Sequence, residues 1–220
     1  MIKYHPSKQI LMEYVAGDLP ASIAIAVSIH SQMCEECNQE IQQLTQALAH
    51  NQLEPETETV ELFDAGSELD DMMADILMDD DIAEEPVMKQ TKIKVNDTSY
   101  KLPRALSNVP LSQWRNLGKL SRSSIDLGEG HVHSHLLHID AGGEVPCHTH
   151  KGFEITLLLD GSFEDEMGRY TKGDFILLDN HHNHQPRTKE GCLCYTVADD
   201  ALHFTKGIHK LFNPIGSLIY

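Results

Sequence analysis

Thirteen residues, SIHSQMCEECNQE (28–40), place His30, Cys34 and Cys37 at i, i+4 and i+7. At about 100° per residue, a helix would gather the three within about 60° of one another. One imidazole and two thiols on a stripe are donors for a soft or borderline cation, and Zn²⁺ takes four such donors in a tetrahedron. His5, at the start of the first helical stretch, supplies a fourth. Two thiolates would neutralise Zn²⁺, and a closed set of four leaves no position for water. The site is therefore expected to be structural and not catalytic. A C-x-x-C pair can also be a redox couple, which needs depressed thiol pKa values. Here Glu35 and Glu36 would raise them, and no thioredoxin-like strand precedes the pair. The plainest alternative leaves both cysteines as small helix residues.

A second constellation lies in GGEVPCHTHKGFEITLLLDG (142–161). His148 and His150 are two apart and share a strand face. Glu154 returns to that face beyond Lys151-Gly152, and Gly142 and Gly161 supply the bounding turns. Two imidazoles and a carboxylate suit Zn²⁺ or another divalent cation. The fourth ligand is expected from GRYTKGDFILLDNHHNHQP (168–186), where His184 is chosen for its place before Gln185-Pro186 and His181 is the alternative. His131, His133 and His135 alternate along one strand, as polar or surface residues of a barrel or as an accessory cluster. Cys147, Cys192 and Cys194 read mostly as packing.

The elements that must position these groups fall into two textures. Ile10, Leu11, Tyr14 and Val15 repeat at helical spacing after Pro6-Ser7, with Gly17 as a stop. Pro20 opens ASIAIAVSIHSQM, a core helix, and residues 35–50 form a third with Ile41, Leu44 and Leu48 on one stripe. After the polar stretch 51–61, Leu69, Met72, Met73, Ile76 and Leu77 fall on one face of an amphipathic fourth helix with aspartates opposite. From Lys92 onward come short alternating runs separated by Gly, Asp and Asn, the pattern of an antiparallel sandwich or barrel. The expected fold class is α + β in two domains: a helical zinc-binding domain over 1–85, a linker over 86–95, and an antiparallel β-barrel over 96–220.

Charge divides the chain at the same place. No lysine or arginine occurs between Lys8 and Lys89. Residues 1–88 hold 2 basic and 19 acidic side chains, and residues 89–220 hold 15 of each, so the whole net charge of −17 belongs to the first region. Such a region repels phosphates, which argues against direct nucleic-acid contact, and suits a basic protein partner. No run of eighteen apolar residues is present to span a membrane. Five cysteines do not suggest a disulfide framework. A cytoplasmic location is expected.

His5 followed by His30-Ser-Gln-Met-Cys34-Glu-Glu-Cys37 resembles the signature of zinc-binding anti-sigma factors, and the 142–161 stretch resembles the first cupin motif. In the second cupin motif Gly173 is present, but Asp179 and His181 stand where many cupins have proline and glycine. Together, over nearly the full chain, they resemble the ChrR family of anti-sigma factors. The resemblance implies an N-terminal domain that sequesters an extracytoplasmic-function sigma factor and a cupin domain needed for response to singlet oxygen or related oxidants. It implies one Zn²⁺ on His5, His30, Cys34 and Cys37 and another on His148, His150, Glu154 and His184. The competing expectation is a metal-dependent cupin enzyme, a dioxygenase, isomerase or hydrolase with an accessory helical domain.

Overall fold

The computed structural model describes residues 1–53, 66–78, 91–149, 152–199 and 203–204. Four helices lead: α1 (Lys8–Ala16), α2 (Ala21–Met33), α3 (Glu35–Leu53) and α4 (Gly66–Met78). The Ser7 side chain caps α1 by accepting from Ile10 N, and Gly17 ends it in the left-handed region at φ 79°. The strands follow as β1 (Lys92–Val95), β2 (Thr98–Lys101), β3 (Arg115–Leu117), β4 (Leu120–Ile125), β5 (His133–Ile139), β6 (His148–Thr149), β7 (Glu154–Glu164), β8 (Arg169–Thr171), β9 (Phe175–Leu178), β10 (Cys192–Ala198) and β11 (His203–Phe204). β1 and β2 form a hairpin, and β11 pairs with β6. The main sheet runs β3-β4-β5-β10-β7-β8, with β9 also on β7. All these pairings are antiparallel. The α + β class expected from the sequence is the observed one.

Residues Met1–Leu48 and Gln90–Tyr220 make one compact unit, and Ala49–Lys89 another. The reason for the first grouping lies in β7 and β10. Every residue of β10 is buried, as are the first six of β7. A strand alternates its side chains between faces, so burial throughout means that both faces are covered. On one face Leu158, Cys192 and Cys194 pack with Ile139, Val145, Phe163 and Ile176 inside the β-domain. On the other, Ile155, Leu157, Leu193, Tyr195 and Val197 share a core with Leu11, Ala26, Val27 and Ile29 of the helices. Full burial of each Leu, Ile or Val among these contributes about 1.5–3 kcal/mol. α2 is apolar nearly all round because it lies inside this core, against Leu11 of α1 as well as the sheet.

Polar contacts fix where α2 lies. Its N-cap residue, Pro20, makes no side-chain capping bond, and the Ser22 amide donates instead to both Glu129 carboxylate oxygens, at 3.2 and 3.3 Å. A carboxylate there also complements the helix dipole. The Tyr195 hydroxyl donates to the Ser22 carbonyl at 3.1 Å. At the far end His30 reaches the β8–β9 turn.

Candidate metal centres

The first centre forms at a helix junction, not along one helix. α2 stops at Met33, Cys34 is extended (φ −116°, ψ 105°), and α3 begins at Glu35. The expected single stripe is corrected by this break. It lets two helix ends and the chain start converge on one point, which a straight helix, projecting its side chains outward, cannot do alone. The ladder still carries across, with Cys34 N donating to His30 O at 2.8 Å and Asn38 N to Cys34 O at 3.0 Å.

The four donor atoms of His5, His30, Cys34 and Cys37 lie within 4.8 Å of one another, and all but His5 are buried. His5 Nδ1 is 3.3 Å from Cys34 Sγ and 3.4 Å from Cys37 Sγ, and His30 Nε2 is 3.3 Å from Cys37 Sγ. A tetrahedron with zinc bonds of about 2.0–2.3 Å has edges of about 3.3–3.8 Å. Donor types and spacing therefore fit Zn²⁺. His30 Nδ1 lies 2.7 Å from the Gly173 carbonyl, which can only accept. The proton is on Nδ1, and the Nε2 lone pair faces the thiols. Burial, then the adjacent Cys34 thiol, pushes the Cys37 thiol up to about 12, and burial holds His30 below its ordinary value. A Cys37 thiolate is therefore favoured here only with a cation to compensate it.

The second centre is built on strands. His148 and His184 face each other across an antiparallel bridge, each amide donating to the other's carbonyl at 3.1 Å. Their Nε2 atoms are 2.9 Å apart, and Glu154 Oε2 is 3.6 Å from His184 Nε2. Glu154 opens β7, paired with Leu178 on one side and Ala198 on the other. His148 Nδ1 donates to the Pro146 carbonyl at 2.7 Å and His184 Nδ1 to the Asp165 carboxylate at 3.2 Å. Both Nδ1 atoms are thus engaged, leaving two Nε2 atoms to converge beside a buried carboxylate, a donor set that fits a divalent cation.

His148, Glu154 and His184 form one buried group. His150 lies outside the described residues. Of the two candidates for the last ligand, the structure brings His184 to this group. His181 is exposed instead, its amide donating to Asp179 Oδ1 at 3.0 Å. His133 and His135 stack at 6.5 Å, with Arg122 Nη2 2.7 Å from His135 Nε2. Neither belongs to the metal-competent groups among the described residues. Asp165 had no legible signal, because its partner lies nineteen residues away. A cavity of about 40 Å³ adjoins the group, lined also by Leu137, Phe163, Ile176 and Cys194. The neighbouring Cys192 thiol, then burial, keeps Cys194 protonated.

A helical region whose histidines and cysteines close on one point, followed by a β-domain with an inward His/Glu group, defines a two-centre protein of the cupin class. Residues 113–201 match the ChrR cupin-like domain family. The chain is 30% identical over 221 residues to the anti-sigma-E factor ChrR of Cereibacter sphaeroides, covering 97% of both. It belongs to the ChrR family of anti-sigma factors. It is also similar to the crystal structure of Rhodobacter sphaeroides SigE in complex with the anti-sigma ChrR, with TM-score 0.64 and 30% identity over 90% of this chain and 100% of that one. Membership places it among regulators and not among the enzymes that share the cupin fold.

Proposed function

We propose that this chain sequesters an extracytoplasmic-function sigma factor in the cytoplasm. In this reading residues 1–85 hold the sigma factor, residues 96–220 govern its release under singlet oxygen or related oxidants, and residues 86–95 join the two. The observation that carries it, beside family membership, is α4. Its apolar row is open to solvent, with Leu69 48%, Met72 60%, Ile76 69% and Leu77 79% exposed. Asp70, Asp71 and Asp75 are exposed on the same helix. Apolar side chains in such a row anchor a partner once desolvated, and methionines adapt to its shape. The carboxylates steer a basic surface toward them and repel nucleic acid.

The first centre is assigned to Zn²⁺, and the second to Zn²⁺ or another divalent cation on His148, His150, Glu154 and His184. His5, His30, Cys34 and Cys37 would hold the first cation, which would supply the positive charge that favours ionised thiols and would tie the segment carrying His5 to the α2–α3 junction. The residues do the rest: Gly173 orients His30, and Cys34 breaks the helix. The enzyme alternative asks the second centre to admit an organic substrate. Membership of an anti-sigma family favours the regulatory reading. The test is co-expression with a candidate extracytoplasmic-function sigma factor from the same genome, followed by pull-down and transcription in vitro. The tagged chain should retain the sigma factor and silence it, and Leu69→Asp/Met72→Asp/Ile76→Asp should abolish both. Turnover of a small organic substrate with no sigma factor captured would replace this reading.

A further inference from the structure

The β-domain reaches into the helical metal centre at one turn, Thr171–Asp174, between β8 and β9. Two of the four donors depend on it. Gly173 offers the carbonyl that accepts from His30 Nδ1. It does so at φ 93°, and a Cβ there would collide with Ile2, so the turn and the chain start are in close contact. Asp174, only 1% exposed, binds the segment that carries His5. Its Oδ1 accepts from Lys3 N at 2.7 Å and Tyr4 N at 3.1 Å, while Oδ2 accepts from Thr171 N at 2.7 Å and Thr171 Oγ1 at 3.3 Å. Phe175 N then donates to the Tyr4 carbonyl at 2.9 Å, so the segment that carries His5 is held against the start of β9 by backbone as well. The Tyr4 ring packs on Tyr170 at 4.7 Å.

Without these contacts His5 would sit on an untethered chain start, and His30 could turn its other nitrogen to the thiols. We propose that the β8–β9 turn is the outer support of the helical metal centre, so that the lifetime of its metal is set by the β-domain. Asp174 and Gly173 are positioning residues: neither touches the metal, and both fix the atoms that do. The proposal stands whatever the partner of the chain is.

Cobalt(II) distinguishes the two centres in the intact protein. Thiolate-to-metal charge transfer reports the helical centre, and the β-domain's His/Glu group, with no thiolate ligand, is the internal control. Loss of Co²⁺ to excess EDTA would be timed at each. Asp174→Asn keeps the shape but turns an NH₂ toward one pair of its donors. It should speed loss from the thiolate centre about 10- to 100-fold, the usual effect of removing a partner that orients a ligand, with the other centre unchanged. Lys3→Pro deletes a single donor at an exposed side-chain position and should give about two- to tenfold, the worth of one hydrogen bond. If Asp174→Asn does not fold, Lys3→Pro alone makes the same comparison. Wild-type loss rates in the variants that fold, or equal acceleration at both centres, would overturn the proposal.

Discussion

The two centres gather similar donors by opposite means. At His148 and His184 the strands already pair, amide to carbonyl, before any cation is considered. At the helical centre the donors come from the chain start, the last turn of α2, an extended residue and the first turn of α3, and no ladder joins all four. Donors on a ladder are pre-positioned, whereas donors on separate pieces are drawn together partly by what they bind. Metal at the first centre should therefore act on folding, and metal at the second mainly on local geometry.

Removing a thiol should give the largest contrast. Cys37→Ser is expected to lower metal content from two ions per chain to one, with loss of helical circular dichroism and a cost on the order of several kcal/mol, as structural zinc couples binding to folding. Elemental analysis and a denaturation curve check this, and retention of two metals would dissolve the contrast. His148→Ala should also remove one metal, yet leave the β-domain folded with a cost of about 1–2 kcal/mol, because its bridge to His184 is made by backbone. Near-ultraviolet spectra that collapse in this variant would show the second centre to be as structural as the first.

Protons offer a milder probe. Burial, then the charge of Arg122, lowers His135 to about 3. Between about 3 and 6.5 the unfolded chain binds more protons at this site than the folded one, so stability rises with pH. Its contribution is complete above about 6.5 and declines as pH falls through this window. Urea midpoints at pH 7.5 and 5 should differ accordingly, and His135→Gln should flatten the difference. The smallest effect concerns Asp165, whose other oxygen accepts from the amides of Met167 and Gly168 ahead of β8. Asp165→Asn should weaken the second centre about tenfold and quicken metal loss from the first by about twofold, because only β8 separates the Asp165–Gly168 turn from the one that holds His30. Competition with a chelator, read at both centres, measures the two together.

Much of this was legible in the sequence. His30, Cys34 and Cys37 announced themselves by spacing, and the α + β class by texture. The helix break at Cys34 was not, because helical spacing continues across it. Asp174 and Asp165 were hidden for another reason: each acts on residues far away in the chain, so no local pattern marks them. One further clue is present in the strands. EITLLL and CLCYTVA are apolar on both strand faces, and a barrel covers only one of these, so something had to pack on the other.

That shared face bears on engineering. A chimera made by cutting near residue 86 and joining this helical region to a foreign cupin would set α2 against a surface never matched to it. Leu157, Leu193, Tyr195 and Val197 would have to travel with the helices, as would the Thr171–Asp174 turn and Glu129. The natural seam between the two regions of this protein therefore follows a surface in space, and no single position in the chain will cut it cleanly.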